Sequence, residues 1–266
     1  MKWIKRIVYP ICAVVIAVAG WKLWQMYHAM TQTQELYTSL WEKAEALQEN
    51  TAEEDNSNPW LTELQKENPE LVGWIRIDGT NINYPVMQTA EDNDYYLDHD
   101  FERESNAHGT PFLDVNCRIG ESENLIIYGH NMKDGTMFRD LMQYKDAEFC
   151  ASNGTIEFLT PEDSAEYQVR FVLLLSAEDT EAFPYYEYID LMGKSDGSAK
   201  ADSAEEDSAG AGRYEEYLQK CAEYAIWQSE ELPETGAELL TLSTCEYSTA
   251  DGRLVVVAER RLDQTE

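Results

Sequence analysis

Beyond Val72 the apolar positions fall into short β-like runs broken by turn residues, while the stretch before it and two internal segments carry helical spacing. Val72–Ile77 and Ile82–Met87 flank the turn Asp78-Gly79. Thr110–Val115, Leu125–Tyr128, Thr155–Leu159 and Tyr167–Leu175 follow as further strands. The last two runs, Leu239–Cys245 and Arg253–Ala258, read as a hairpin across the turn signal Asp251-Gly252. In the first of these, Leu240 and Leu242 are expected to point one way, and Thr241, Ser243 and Cys245 the other. Antiparallel pairing then sets Cys245, at the end of one strand, near Arg253 at the start of the next.

Helical spacing appears first in Leu36, Leu40, Ala44 and Leu47, which predicts a helix over Gln34–Gln48. Thr51–Ser57 is an acidic linker. Asn58-Pro59 then opens a short helix through Lys66, and Asn68-Pro69 stops it. Asp92–Asp98 reads as a helical turn, and Met137, Phe138, Leu141 and Met142 predict a short helix within Thr136–Tyr144. Gly193–Gly212 is low-complexity Gly, Ser, Ala and acidic sequence, expected as a mobile acidic surface loop. Arg213–Gln228 follows as a helix with Tyr217, Cys221, Tyr224 and Trp227 towards the body. Many strands, few helices and no strand–helix alternation predict a mainly β barrel or sandwich.

The N-terminus changes the picture from a plain globular chain. Residues 1–6 are basic, Ile7–Trp21 carries no charge, and Lys22-Leu23-Trp24 suits an interface. The run is short for a span of about 20 residues, but Lys22 can snorkel. The expectation is an uncleaved signal anchor at 7–24, with 1–6 cytoplasmic and 25–58 a juxtamembrane helix and linker. Residues 59–266 would be an extracytoplasmic domain held at the cell membrane by this single pass. Ala17-Val18-Ala19 leaves a cleaved signal peptide as the alternative, and both readings export the domain.

Composition narrows the function. A net charge of −31 excludes nucleic acid as a partner, since phosphate binding needs a basic stripe. At 43% hydrophobic residues the chain can build one sizeable core. The five cysteines show no CxxC or Cys/His ligand spacing, and the carboxylates form no loop-ligand cluster, so no metal or other cofactor is expected. Cys150 and Cys221 read as small buried hydrophobes, and a disulfide among Cys117, Cys150 and Cys221 stays open. Of the four histidines, His28 falls at the expected membrane edge, and His99 and His108 read as solvated loop residues. His130 differs: it ends an apolar strand beside Gly129, a rim position where a base is useful.

Cys245, His130 and Arg253 have distinct capacities. A thiol is mostly protonated at neutral pH, and a nearby imidazole or cation can supply the thiolate. Arginine stays protonated and cannot act as a base, so its use is to hold a carbonyl and stabilise an oxyanion. Together the three residue types suit acyl transfer.

The run Thr241-Leu242-Ser243-Thr244-Cys245, with Arg253 opening the next strand and Tyr128-Gly129-His130-Asn131 upstream, resembles the sortases, and the TLxTC motif is matched at every fixed position. The resemblance spans about Pro59 to Leu262 and is closest to class B. It implies a mainly β fold, an eight-stranded sortase-type β-barrel with N-terminal helices and one long helix before the cysteine strand. It implies a cysteine transpeptidase of Gram-positive bacteria in which Cys245 attacks the carbonyl after Thr in a sorting motif, often of the Asn-Pro-x-Thr type in class B. His130 would protonate the leaving amine and deprotonate the incoming one, and Arg253 would bind the oxyanion or the motif's backbone. Ser243, Thr244 and Glu246 would line the substrate groove. Implied partners are surface proteins bearing a C-terminal sorting signal, and an acceptor amine from a cell-wall precursor (oligoglycine or diaminopimelate) or a pilin lysine.

Rival readings fit less well. An L,D-transpeptidase places a His two residues before its Cys, where this chain has Ser243. A caspase-like protease lacks the TLxTC context. A tethered binding protein with a decayed site would not be expected to keep all three reactive side chains. Leu232-Pro233-Glu234-Thr235-Gly236 matches the LPxTG signal that many sortases cut, but it runs directly into the Cys245 strand and reads as coincidence.

Overall fold

The computed structural model describes residues 2–48, 57–90, 92–192 and 203–261. Five α-helices occur among them: α1 (Lys2–Gln48), α2 (Pro59–Gln65), α3 (Ala147–Ser152), α4 (Ala177–Ala182) and α5 (Ser203–Tyr224). The nine strands are β1 (Leu71–Arg76), β2 (Asn83–Met87), β3 (Phe112–Leu113), β4 (Asn124–Tyr128), β5 (Thr155–Leu159), β6 (Ser164–Leu175), β7 (Ala225–Gln228), β8 (Leu239–Glu246) and β9 (Gly252–Arg260). Eight close into a barrel in the order β5-β1-β2-β3-β4-β8-β9-β6, sealed by the pairing of β5 with β6, and β7 adds to the outside of β6. Closure removes the free edges that an open sheet would expose. The β2–β3 and β4–β8 pairs are parallel and the remaining pairs antiparallel.

Two apolar clusters, one on each face, account for the continuous apolar run of β9 and the burial of β8. The barrel interior holds Leu240, Leu242, Leu254, Val256 and Ala258. On the outer face, Leu239, Val255 and Val257 pack with Phe171, Leu173 and the α5 residues Tyr214, Tyr217 and Cys221. Both faces of these strands are therefore buried, as in sheets covered on each side. Thr241 and Ser243, expected to face outward, are buried under this helical cover. Their hydroxyls meet Tyr217 Oη (3.3 Å) and Tyr185 Oη (2.7 Å), so the polar parity satisfies buried tyrosines and not solvent.

α5 starts at Ser203, ten residues before the expected Arg213, so the C-terminal part of the expected Gly193–Gly212 loop is helical. Residues 193–202 lie outside the described residues. The alanines and glutamates of residues 203–212 favour the helix. The expected helix through Gln228 instead ends at Tyr224, because Ala225–Gln228 pairs with β6. Cys117, Cys150 and Cys221 are buried free thiols, which closes the disulfide question. The LPxTG match lies in the β7–β8 connection, with Glu234 and Thr235 exposed. β8 begins at Leu239, so the match lies at the far end of the strand from Cys245, roughly 20 Å away at the rise of an extended chain.

α1 is continuous, and its C-terminal part docks on the barrel through Tyr37, Leu40 and Ala44. The expected membrane span at 7–24 requires correction: among the described residues no helix is long and apolar enough to cross a membrane. Arg6 and Lys22 leave only 15 uncharged residues between them, about 22 Å of helix against about 30 Å of hydrocarbon. The single-pass cell-membrane localisation, cytoplasmic N-terminus and extracellular catalytic domain fall with it.

Candidate active site

The β8–β9 register places Cys245 directly opposite Arg253, the pairing expected from the sequence. Asp251 turns the hairpin in the left-handed region (φ 51°). Gly252 is required beside it, since a Cβ there would stand 2.7 Å from Glu246 O. Cys245 is partly exposed, at the end of a strand whose preceding residues are all buried. Among the described residues Arg253 forms no ion pair with a carboxylate. Its Nη1 donates to the main-chain oxygens of Gly252 (3.1 Å) and Asp251 (3.3 Å), leaving its charge available to an anion.

His130 arrives by a route that local pattern does not reveal. β4 runs parallel to β8 with Tyr128 beside Ser243, and Gly129 N–H extends the ladder to Ser243 O (3.1 Å). His130 is the next residue, which brings its segment alongside Thr244 and Cys245. The loop behind it closes on itself: Phe138 N–H donates to His130 O (2.8 Å), and Asn131 bridges Met137. Gly129 permits this, because a Cβ would stand 2.7 Å from the Phe138 ring. The His130 ring is partly buried, and its Nε2 lies 2.8 Å from Leu97 O. A carbonyl only accepts, so Nε2 carries the proton and Nδ1 is the nitrogen left to exchange one.

The three flanking residues expected to line the groove are buried and spend their polar atoms on the protein. Ser243 bonds Tyr185, and Thr244 Oγ1 donates to Gly129 O (2.6 Å). The Glu246 carboxylate accepts from Lys145 Nζ (2.5 Å) and from Ser248 N–H (2.8 Å) and Oγ (2.5 Å). Burial opposes its ionisation, but these hydrogen bonds win and hold its carboxyl down at about 2. Burial raises the other thiols, Cys117 to about 12, Cys150 to about 11 and Cys221 further still.

Two histidines expected in solvent are not there. His108 is 5% exposed, and its Nε2 pairs with Asp134 Oδ2 at 2.6 Å, within the loop that follows His130. His99 is half-buried, stacked on Tyr95 with ring centroids 4.0 Å apart and paired with Asp98 at 2.7 Å. No group of His, Cys, Asp and Glu among the described residues has a metal-binding arrangement.

A partly exposed thiol, a guanidinium opposite it and the segment that bears an imidazole with one committed nitrogen thus lie at one barrel rim. The sortase domain model matches residues 75–261. The chain is 30% identical to sortase B of Staphylococcus aureus over 97% of both chains. The structure of a Staphylococcus aureus sortase B–substrate complex is similar at TM-score 0.71 and 28% identity, over 88% of this chain and 98% of that one. A sortase B complexed with triglycine gives TM-score 0.71 and 29% identity, over 88% of this chain and 99% of that one. The barrel, the rim and these matches agree: the chain belongs to the sortase family, class B, the cysteine transpeptidases that act on sorting signals.

Proposed function

We propose that Cys245 is the nucleophile, His130 the acid and base, and Arg253 the oxyanion partner of this transpeptidase. The observation that carries the reading is the double register at the rim: Cys245 faces Arg253 across β8–β9, and the β4–β8 ladder ends where the His130 segment begins. Cys245 gives its thiol proton to His130, the thiolate Sγ attacks the carbonyl carbon of the motif's Thr, and the carbonyl oxygen takes up negative charge beside the Arg253 guanidinium. Collapse breaks the C–N bond. The amine leaves with a proton from His130, and the acyl group stays on Cys245 as a thioester. An incoming amine attacks that carbonyl, gives its proton to His130 and releases the thiolate. The acceptor is a primary amine of oligoglycine type, a reading supported by the triglycine complex of a relative. Diaminopimelate and pilin lysine are the competing amines. The catalytic domain spans residues 59–266.

The test is peptide cleavage and transfer with mass-spectrometric product analysis, using an Asn-Pro-x-Thr peptide library and triglycine, diaminopimelate or lysine as acceptor. The wild type is expected to give a ligated product, with triglycine the best acceptor. Cys245→Ala is expected to lose both cleavage and transfer, by at least about 10³-fold, with its melting temperature retained. Turnover by this variant would refute the assignment.

A further inference from the structure

The main-chain ladder between β4 and β8 ends at the bond from Gly129 N–H to Ser243 O. Side chains carry the connection from there. Thr244 Oγ1 donates to Gly129 O (2.6 Å), and Asn131 Nδ2 donates to Cys245 O (2.8 Å). In a regular parallel ladder the main-chain N–H of residue 131 would make the second of these bonds. Asn131 is only 2% exposed. Its Oδ1 accepts from Arg139 Nη1 (3.1 Å), and its main-chain oxygen accepts from Tyr247 Oη (3.2 Å). A guanidinium only donates, so Arg139 fixes which face of the carboxamide is oxygen and leaves the donating NH₂ for the Cys245 carbonyl.

We propose that Asn131 is a positioning residue whose carboxamide forms the last rung between the His130 segment and the end of β8, and so sets the spacing of base and nucleophile. The inference rests on Cys245 and His130 being the reacting pair. Cys245 stays joined to β9 whatever happens at Asn131, so loss of the rung spares the barrel and loosens only the side that bears the base. A misplacement of about 1 Å costs on the order of 10²-fold in rate.

Asn131→Ala and Asn131→Asp in the full chain test this. Asp keeps the size of Asn but can only accept when ionised, so it turns an acceptor towards the Cys245 carbonyl. The readouts are kcat and KM on a fluorogenic Asn-Pro-x-Thr peptide, the pH profile of iodoacetamide modification at Cys245, and the melting temperature. In both variants kcat is expected to fall about 30–100-fold with KM changed less than about threefold. The alkylation profile should shift while the melting temperature stays within about 5 °C. Arg139→Ala, at an exposed position, keeps Asn131 but frees its carboxamide to flip, and should lower kcat about 3–10-fold even if both Asn131 variants misfold. Wild-type kcat and an unshifted profile in the Asn131 variants, or full activity with Asp and loss with Ala, would overturn the rung. A wild-type Cys245 that alkylates no faster than Cys150 would overturn the reacting pair, and the rung with it.

Discussion

Strand β8 is built differently at its two ends. From Leu239 to Leu242 it is laddered on both sides, to β4 and β9, and sealed between the barrel core and the cluster under α5. From Ser243 onward the residues turn polar, beyond Ser243 the ladder to β4 gives way to side-chain hydrogen bonds, and Cys245 reaches solvent. The first end has little slack, because each of its residues is in register with a strand on both sides and fully buried. The second end borrows that rigidity: the same strand that is locked inside delivers a partly exposed thiol at the rim.

Three perturbations separate the ends. Arg253→Lys keeps the charge but loses the planar fork, and should reduce kcat/KM about 10²–10³-fold with no loss of melting temperature. Near-normal turnover would dissolve the chemical half of the contrast. Leu242→Ala at the sealed end should cost about 2–5 kcal/mol in urea unfolding, through lost burial and a cavity, while kcat per folded molecule stays within about twofold. A large kcat loss there would mean that the two ends are not separable.

The smallest effect sits at Glu246, which ties the end of β8 to Lys145. Its folded carboxyl, held at about 2, lies below the ordinary 4.5. Its contribution is therefore complete above about pH 4.5 and lost as the pH falls towards 2. With Lys145 about a third exposed, screening reduces this to about 1–2 kcal/mol. Lys145→Met leaves the Ser248 hydrogen bonds in place, so it should lower stability by at most that amount at pH 7 and by little at pH 2, read from urea midpoints.

Local pattern disclosed the hairpin because two β-prone runs and Asp251-Gly252 suffice to set the Cys245–Arg253 register. It also disclosed β5 to the residue, and the short helix after Asn58. It could not disclose the β4–β8 pairing, since partners more than a hundred residues apart leave no local signal. That pairing is what brings the His130 segment alongside the end of β8; in the sequence only the resemblance of the motifs implied it. Thr241 and Ser243 misled for a related reason. A polar residue alternating with Leu reads as solvent-facing, but here α5 and Tyr185 cover that face and need hydroxyl partners. His108 and Asp134 lie 26 residues apart, and only the fold brings the buried imidazole onto that loop carboxylate. Asn131 was visible beside His130 in the motif, but nothing in its type signalled a rung. The apolar run at 7–24 misled through composition: it is uncharged over too short a length to span a bilayer.

The most direct measurement is the rate at which iodoacetamide modifies each thiol of the native protein, mapped by mass spectrometry, in the wild type and in His130→Ala. Burial holds Cys117, Cys150 and Cys221 in their protonated form, whereas Cys245 is partly exposed beside Arg253 and the His130 segment. Cys245 is expected to react at least about 10²-fold faster than the buried three, and His130→Ala to slow it about tenfold or more near neutral pH. A Cys245 no faster than Cys150 or Cys221, or one indifferent to loss of His130, would contradict the account.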